Sequence, residues 1–212
     1  MTAAVAERVR RVVADTPTGS FVRSRDLVPL AGASRSAVDT ALHRLIDSES
    51  LVPVRPGLFF KGKRTRFGVT RPDPLSVGFE VARLRGFHTG VGPAGITAAR
   101  HLGLTTQVPA VEEIAVPGRP PADPRGVHFC SRAAAGRRDL GPTEVAVLEL
   151  LRQWPRYSES DWATFVDTVA QLCVQGAVDV DRVKTAAALE HHTAARERAA
   201  ELADAVHIAL AR

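Results

Sequence analysis

Cysteine is scarce in this chain, with only Cys130 and Cys173 among 212 residues. They lie far apart and form no C-x-x-C pair, so their spacing suggests neither a zinc site nor a disulfide framework. Both fall in apolar runs, V-H-F-C and A-Q-L-C-V, and read as small packed hydrophobes of a reducing cytoplasm. Lysine is scarcer than the charge suggests: Lys61, Lys63 and Lys184 are the only three among 28 basic residues. No window approaches the roughly 18 apolar residues that a membrane span needs. The N-terminus lacks the apolar run of a signal peptide. The expectation is therefore a soluble cytoplasmic protein with no membrane partner.

Catalytic signatures are missing as well. There is no G-x-S-x-G, P-loop, H-E-x-x-H or dinucleotide fingerprint, and no internal repeat of useful length. His191 and His192 are adjacent and would point about 100 degrees apart on a helix, a poor chelate. Glu112 and Glu113 resemble a carboxylate pair, but neighbours on a strand face opposite sides. The strand E-E-I-A also lacks the Glu-x-Lys of metal nucleases. These patterns predict a protein that is not an enzyme and needs no metal or cofactor.

What is present is ordinary hydrophobic content, 45%, with a net charge of +5 and a pI near 10.0. The length suits two small domains, and the basic balance favours an anionic partner. The predicted fold class is α+β, mainly helical: an N-terminal winged helix-turn-helix over residues 1–70, then a mixed α/β second domain with C-terminal helices over residues 75–212.

The order of elements in the first 63 residues carries that prediction. Val5, Val9, Val12 and Val13 stripe a helix over Thr2–Ala14, stopped by Pro17-Thr18-Gly19. Ser20-Phe21-Val22 reads as a strand. Ser24 is expected to cap a helix through Leu30, and Gly32 supplies a turn. Ser34 caps the longest helix here, with Ala37, Val38, Ala41, Leu42, Leu45 and Ile46 as its buried stripe. Leu51–Arg55 and Leu58–Lys61 form a hairpin around Pro56-Gly57, a pair suited to a type II turn. Lys61–Pro74 reads as a basic linker.

In the second domain, helices are expected over Leu75–Gly86 and Gly92–Leu102. Strands at Glu113–Val116 and Val127–Cys130 flank a stiff loop with four prolines. A helix then starts at Pro142 and runs to about Gln153. The next is capped by Ser158 or Ser160 and runs to about Gln175. Asp179 opens a third, and a last helix covers roughly His192–Leu210. Gly92, Pro93, Gly95, Thr97 and Gln107 read as turn and packing positions.

In a winged helix the start of the third helix enters the major groove. Arg35, Ser36, Asp39, Thr40 and His43 lie there, opposite the Val38–Leu42–Leu45 stripe. Arg35 can bond guanine O6 and N7 with two donors. Ser36 and Thr40 can reach a base edge or a phosphate. Asp39 can accept from a cytosine amine or orient Arg35. Arg44, further along, suits backbone phosphate. Arg55 sits beside the wing turn, Arg23 and Arg25 flank the second helix, and Lys61, Lys63, Arg64 and Arg66 trail the wing. These cations can neutralise phosphates or follow the minor groove. For the trailing cluster a solvated linker stays open.

Both halves together resemble the AbiEi-like antitoxin family of bacterial abortive-infection toxin–antitoxin systems, over roughly Val9–Trp154. S-F-V-R-S-R-D-L and A-V-D-T-A-L-H-R-L match its winged helix, and R-P-G-L-F-F-K matches its wing. G-P-A-G-I-T-A-A-R-H-L-G-L-T-T-Q-V-P, followed by E-I-A-V-P-G, matches the opening of its second domain. The resemblance implies that the N-terminal domain binds double-stranded DNA at inverted repeats in its own promoter and represses the operon. It implies that the second domain carries antitoxin activity against a cognate nucleotidyltransferase-like toxin encoded next door, directly or indirectly. Two other classes stay open. One is a stand-alone winged-helix transcription factor, which a neighbouring toxin gene would distinguish. The other is a DNA-processing enzyme, which the missing Glu-x-Lys disfavours.

Overall fold

Valines at three- and four-residue spacing fold the N-terminal segment into α1 (Thr2–Asp15) in the computed structural model, which describes residues 2–211. Val9 and Val13 are buried on its inner face. β1 (Phe21–Arg23) leads into α2 (Ser24–Ala31), which Gly32 ends in the left-handed region at φ +54°. Glycine enters that region without steric cost, and its N–H returns to the Pro29 carbonyl at 3.1 Å. α3 (Arg35–Asp47) starts at Ser34, whose Oγ accepts from the Ala37 N–H at 3.4 Å.

β2 (Val52–Arg55) and β3 (Leu58–Phe60) form a hairpin, and Gly57 at φ +77° makes its turn. β1 pairs with the free edge of β3, so the antiparallel order is β1-β3-β2. The core is closed by Val22, Leu27, Val38, Leu42, Leu45 and Leu51. Burying each such side chain contributes about 1.5–3 kcal/mol against solvation.

Two expectations in this region are corrected. Ser24 is not the cap of α2; Arg23 holds that position without a side-chain bond. Strand β1 runs straight into the helix, so Ser24 is already helical and buried, and its N–H donates to the Gly57 carbonyl at 3.0 Å. Residues 61–74 are not a plain linker either. They hold a small hairpin of β4 (Arg64–Thr65) and β5 (Gly68–Val69). Thr65 Oγ1 donates to the Gly68 carbonyl at 2.8 Å and accepts from the Phe67 N–H at 3.2 Å, which fixes the turn.

The chain divides between Asp73 and Pro74 into two compact units. The second opens with α4 (Pro74–Leu84), a short strand β6 (Gly92–Pro93) and α5 (Gly95–His101). β7 (Glu112–Val116) pairs antiparallel with β6 and parallel with β8 (Val127–Ser131), with Ile114 opposite Phe129. The proline-rich loop between β7 and β8 makes the parallel crossing without a helix, extended enough to return the chain to the start of the next strand.

The other expected helices have their observed forms in α6 (Pro142–Gln153), α7 (Trp162–Val174), α8 (Val180–Ala188) and α9 (Thr193–Leu210). α6 is central: residues 144–151 are all buried, between α5, α8, α9 and β6. Two starts differ from expectation, and one element was not expected. α5 begins at Gly95, because Gly92-Pro93 are taken up as an edge strand. Asp161, not Ser158 or Ser160, caps α7 by accepting from the Thr164 N–H at 2.9 Å. A 3-10 turn at Ala135–Asp139 had no sequence signal. The whole is mixed α and β, predominantly helical with small sheets.

Candidate nucleic-acid interface

The amphipathic stripe of α3 decides which side chains it offers outward. With Val38, Ala41, Leu42 and Leu45 buried, Arg35, Ser36, Thr40, His43 and Arg44 are exposed and Asp39 is half-buried. Arg35 Nε lies 3.8 Å from Asp39 Oδ2, one helical turn on. The two charges are close enough for Asp39 to bias the Arg35 side chain, at a distance beyond a hydrogen bond. Thr40 Oγ1 donates to the Ser36 carbonyl at 2.9 Å, which leaves its oxygen lone pairs outward.

Arg35, Asp39 and His43 line one side of a cleft of about 530 Å3, and Pro53, Arg55 and Gly57 of the hairpin line the other. The Ser24–Gly57 backbone bond ties the hairpin turn to the start of α2. Ser36, Thr40 and Arg44 lie outside it, on the exposed helix surface.

The flanking cations divide into bound and free. Arg23 is held by Asp26 at 2.6 Å, while Arg25 is exposed with no partner among the described residues. Lys61 is committed internally: its Nζ donates to the carbonyls of Ala14 and Thr16, each at 2.6 Å. A cation at the end of α1 satisfies carbonyls that the helix leaves open and complements its dipole. Lys61, expected to meet phosphate, has two of its donors engaged inside the unit. Lys63 is exposed and opens the small hairpin through backbone and Thr70 hydroxyl bonds.

That hairpin adds what sequence reasoning missed. Arg64 reaches Glu49, just beyond α3, at 3.5 Å. Phe67 is 86% exposed at the hairpin tip, with the Arg66 guanidinium 4.6 Å from its ring centroid. The basic run K-G-K-R-T-R-F-G was visible, but nothing in it marked Phe67 as outward.

In the second unit the titratable groups are mostly engaged with one another. Glu112 is buried and accepts from Thr97 Oγ1 at 2.8 Å and from Arg100. Glu113 accepts instead from Cys130 Sγ at 3.8 Å, so the two carboxylates serve separate partners. Burial above all pushes the Cys130 thiol up, opposed by nearby Arg132 and reinforced by Glu113. Burial, with the charge of Arg100, holds His101 below the usual histidine range. His192 caps α9, its Nδ1 accepting from the Ala195 N–H at 3.3 Å. Thr97 is buried, and Gln107 donates to Glu159 at 3.0 Å, both structural roles. Among the described residues no group of three or more His, Cys, Asp or Glu side chains could hold a metal ion, and no helix is long and apolar enough to cross a membrane.

The fold so defined is a mixed α/β arrangement of two units, the first carrying an exposed helix face beside a hairpin. No protein-family model and no curated protein matches the chain. Among solved structures it is similar to the RV2827C protein from Mycobacterium tuberculosis, at 21% identity and a TM-score of 0.56. The match covers 95% of this chain and 77% of that one, and at this identity it shows a shared fold.

Proposed function

We propose that the first unit is a winged helix-turn-helix that binds double-stranded DNA, with α3 as the recognition helix and β2–β3 as the wing. The observation that carries this reading is the cleft shared by Arg35, Asp39, His43 and Arg55. The major groove, about 12 Å wide, admits a helix of about 10–12 Å diameter, and Arg35 to His43 spans roughly 12 Å along the helix axis. Arg35 at the helix start reads guanine, with Asp39 holding its fork in place. Ser36, Thr40 and His43 meet base edges or phosphates along the same face. Arg25, Arg44, Arg55 and Lys63 contact the phosphate backbone, where position is fixed but no sequence is read. Arg23 joins them only by releasing Asp26, and Lys61 supports the wing from within.

The chain acts, in this reading, as an AbiEi-like antitoxin and autorepressor in the cytoplasm. It occupies inverted repeats in its own promoter, and its second unit neutralises a nucleotidyltransferase-like toxin encoded beside it. The support is the run of sequence motifs through both units and the mainly helical second unit that follows the DNA-binding one. This is binding work, with no reaction and no cofactor.

A promoter reporter and a survival assay test the two halves of the proposal together. The intact chain should repress the reporter and restore growth to cells expressing the neighbouring gene product. Repression without protection would leave a stand-alone transcription factor. Protection without repression would remove the DNA-binding role of α3.

A further inference from the structure

The second unit contains a buried chain of ion pairs that the DNA-binding reading does not use. Arg137 is fully buried, with Nη1 2.6 Å from Glu149 Oε1 and Nε donating to Glu190. Glu149 also receives Arg132, through Nε at 2.9 Å and Nη2 at 3.0 Å. Glu190 also receives Arg152, and its backbone carbonyl accepts from Arg196 Nη1 at 2.6 Å. Three guanidinium groups therefore share two carboxylates, an excess of one positive charge, and Arg196 adds a fourth cation at the Glu190 backbone. Arginine stays charged in proteins, and buried charge is costly unless it is paired. Arg137 Nη1 and Nη2 are both buried without a hydrogen bond among the described residues: the Nη1 contact with Glu149 is close in distance but lacks hydrogen-bond geometry.

A cleft of about 330 Å3 opens beside this network, at the carboxyl end of β8. Its walls include Arg132, Arg152, Glu190, His191 and His192. Arg132 and Arg152 are 18% and 20% exposed, so solvent reaches them. Arg152 spends one N–H on Glu190 and has no other hydrogen-bond partner among the described residues, which leaves donors of its planar fork for a ligand. His192 accepts at Nδ1, so its neutral ring carries the proton on Nε2 as a further donor.

We propose that this cleft binds a phosphoryl group, whose negative oxygens offset the unmatched arginine charge. The group can come from free phosphate or from a mononucleotide; a guanidinium fork and an imidazole N–H suit either.

Isothermal titration of the full chain with inorganic phosphate, AMP and adenosine tests the proposal. Phosphate and AMP should bind with adenosine silent, and Arg152→Gln should weaken both by about tenfold or more, as loss of a charged hydrogen bond implies. AMP binding much tighter than phosphate would make the source a nucleotide; equal affinities would make it the free anion. His192→Asn keeps a capping side chain for α9 but removes the ring, and should weaken phosphate binding even if Arg152→Gln fails to fold. Absence of binding by phosphate and AMP up to about 10 mM, an affinity too weak to matter, would overturn the site. Undiminished binding in a folded Arg152→Gln or in His192→Asn would overturn it equally.

Discussion

Replacing Lys61 with alanine separates the internal role of this residue from a DNA-contacting one. Its Nζ donates to Ala14 and Thr16 carbonyls at 2.6 Å, joining the end of β3 to the end of α1 across more than 40 residues of sequence. A hydrogen bond to a charged group contributes about 1.5–3 kcal/mol when well shielded. Lys61 is only half-buried, so water competes and the pair together should supply about 1–2 kcal/mol. In a unit of this size each 1 kcal/mol moves the melting temperature by roughly 4–8 °C. Both tryptophans, Trp154 and Trp162, lie in the second unit, so fluorescence does not report on the first. Regional amide hydrogen exchange does, and Lys61→Ala should speed exchange in α1 and β3 while the second unit stays unchanged. Once the variant is folded, the salt dependence of its DNA affinity should equal that of the parent. A log–log slope flattened by about 0.9, the signature of one phosphate no longer neutralised, with unchanged exchange, would refute the internal role.

Other outcomes follow from the same geometry. Arg35→Ala should weaken operator binding by about 1–3 kcal/mol and relax preference at one base position, read by competition against a set of single-base variants. It should barely affect stability, since the Arg35–Asp39 pair is long and exposed. Replacing Arg55 and Lys63 with alanine should weaken binding to all duplexes alike and flatten the salt slope by about 0.9 for each phosphate left without its cation; an unaltered slope would remove the wing from the backbone. Glu149→Gln should destabilise the second unit, by less than the ~3–5 kcal/mol of a fully broken buried pair, because Arg137 loses the Glu149 charge but keeps Glu190; tryptophan fluorescence during denaturation measures it. A fragment ending at Asp73 should bind the operator, and residues 74–212 alone should protect cells from the toxin without repressing. Protection by the first fragment instead would reverse the assignment.

Local chemistry explains how much of this was readable in advance. The α3 stripe was legible because six apolar residues recur at helical spacing, and Ser34 and Gly57 mark the helix start and hairpin turn by chemistry unique to those positions. From that stripe the exposed face with Arg35, Asp39 and His43 followed directly. Strands of two residues carry no periodic signal, so the β4–β5 hairpin and its outward Phe67 stayed hidden. The start of α7 was displaced because S-E-S-D offers three competent caps, and packing of Phe165 and Val166 selects among them. The role of Lys61 depends on partners more than 40 residues away in the chain, and that of Arg137 on Glu190, more than 50 away, together with Glu149. No local pattern encodes such a pairing, which exists only once the chain is packed.

The central claim is that α3 reads DNA sequence. The direct measurement is the affinity of the full chain for a duplex carrying the inverted repeats upstream of its own gene, divided by that for an unrelated duplex of equal length in the same salt. Specific recognition predicts a ratio of about 10³ or more, falling sharply in Arg35→Ala. A ratio near one, unchanged by that substitution, would contradict it.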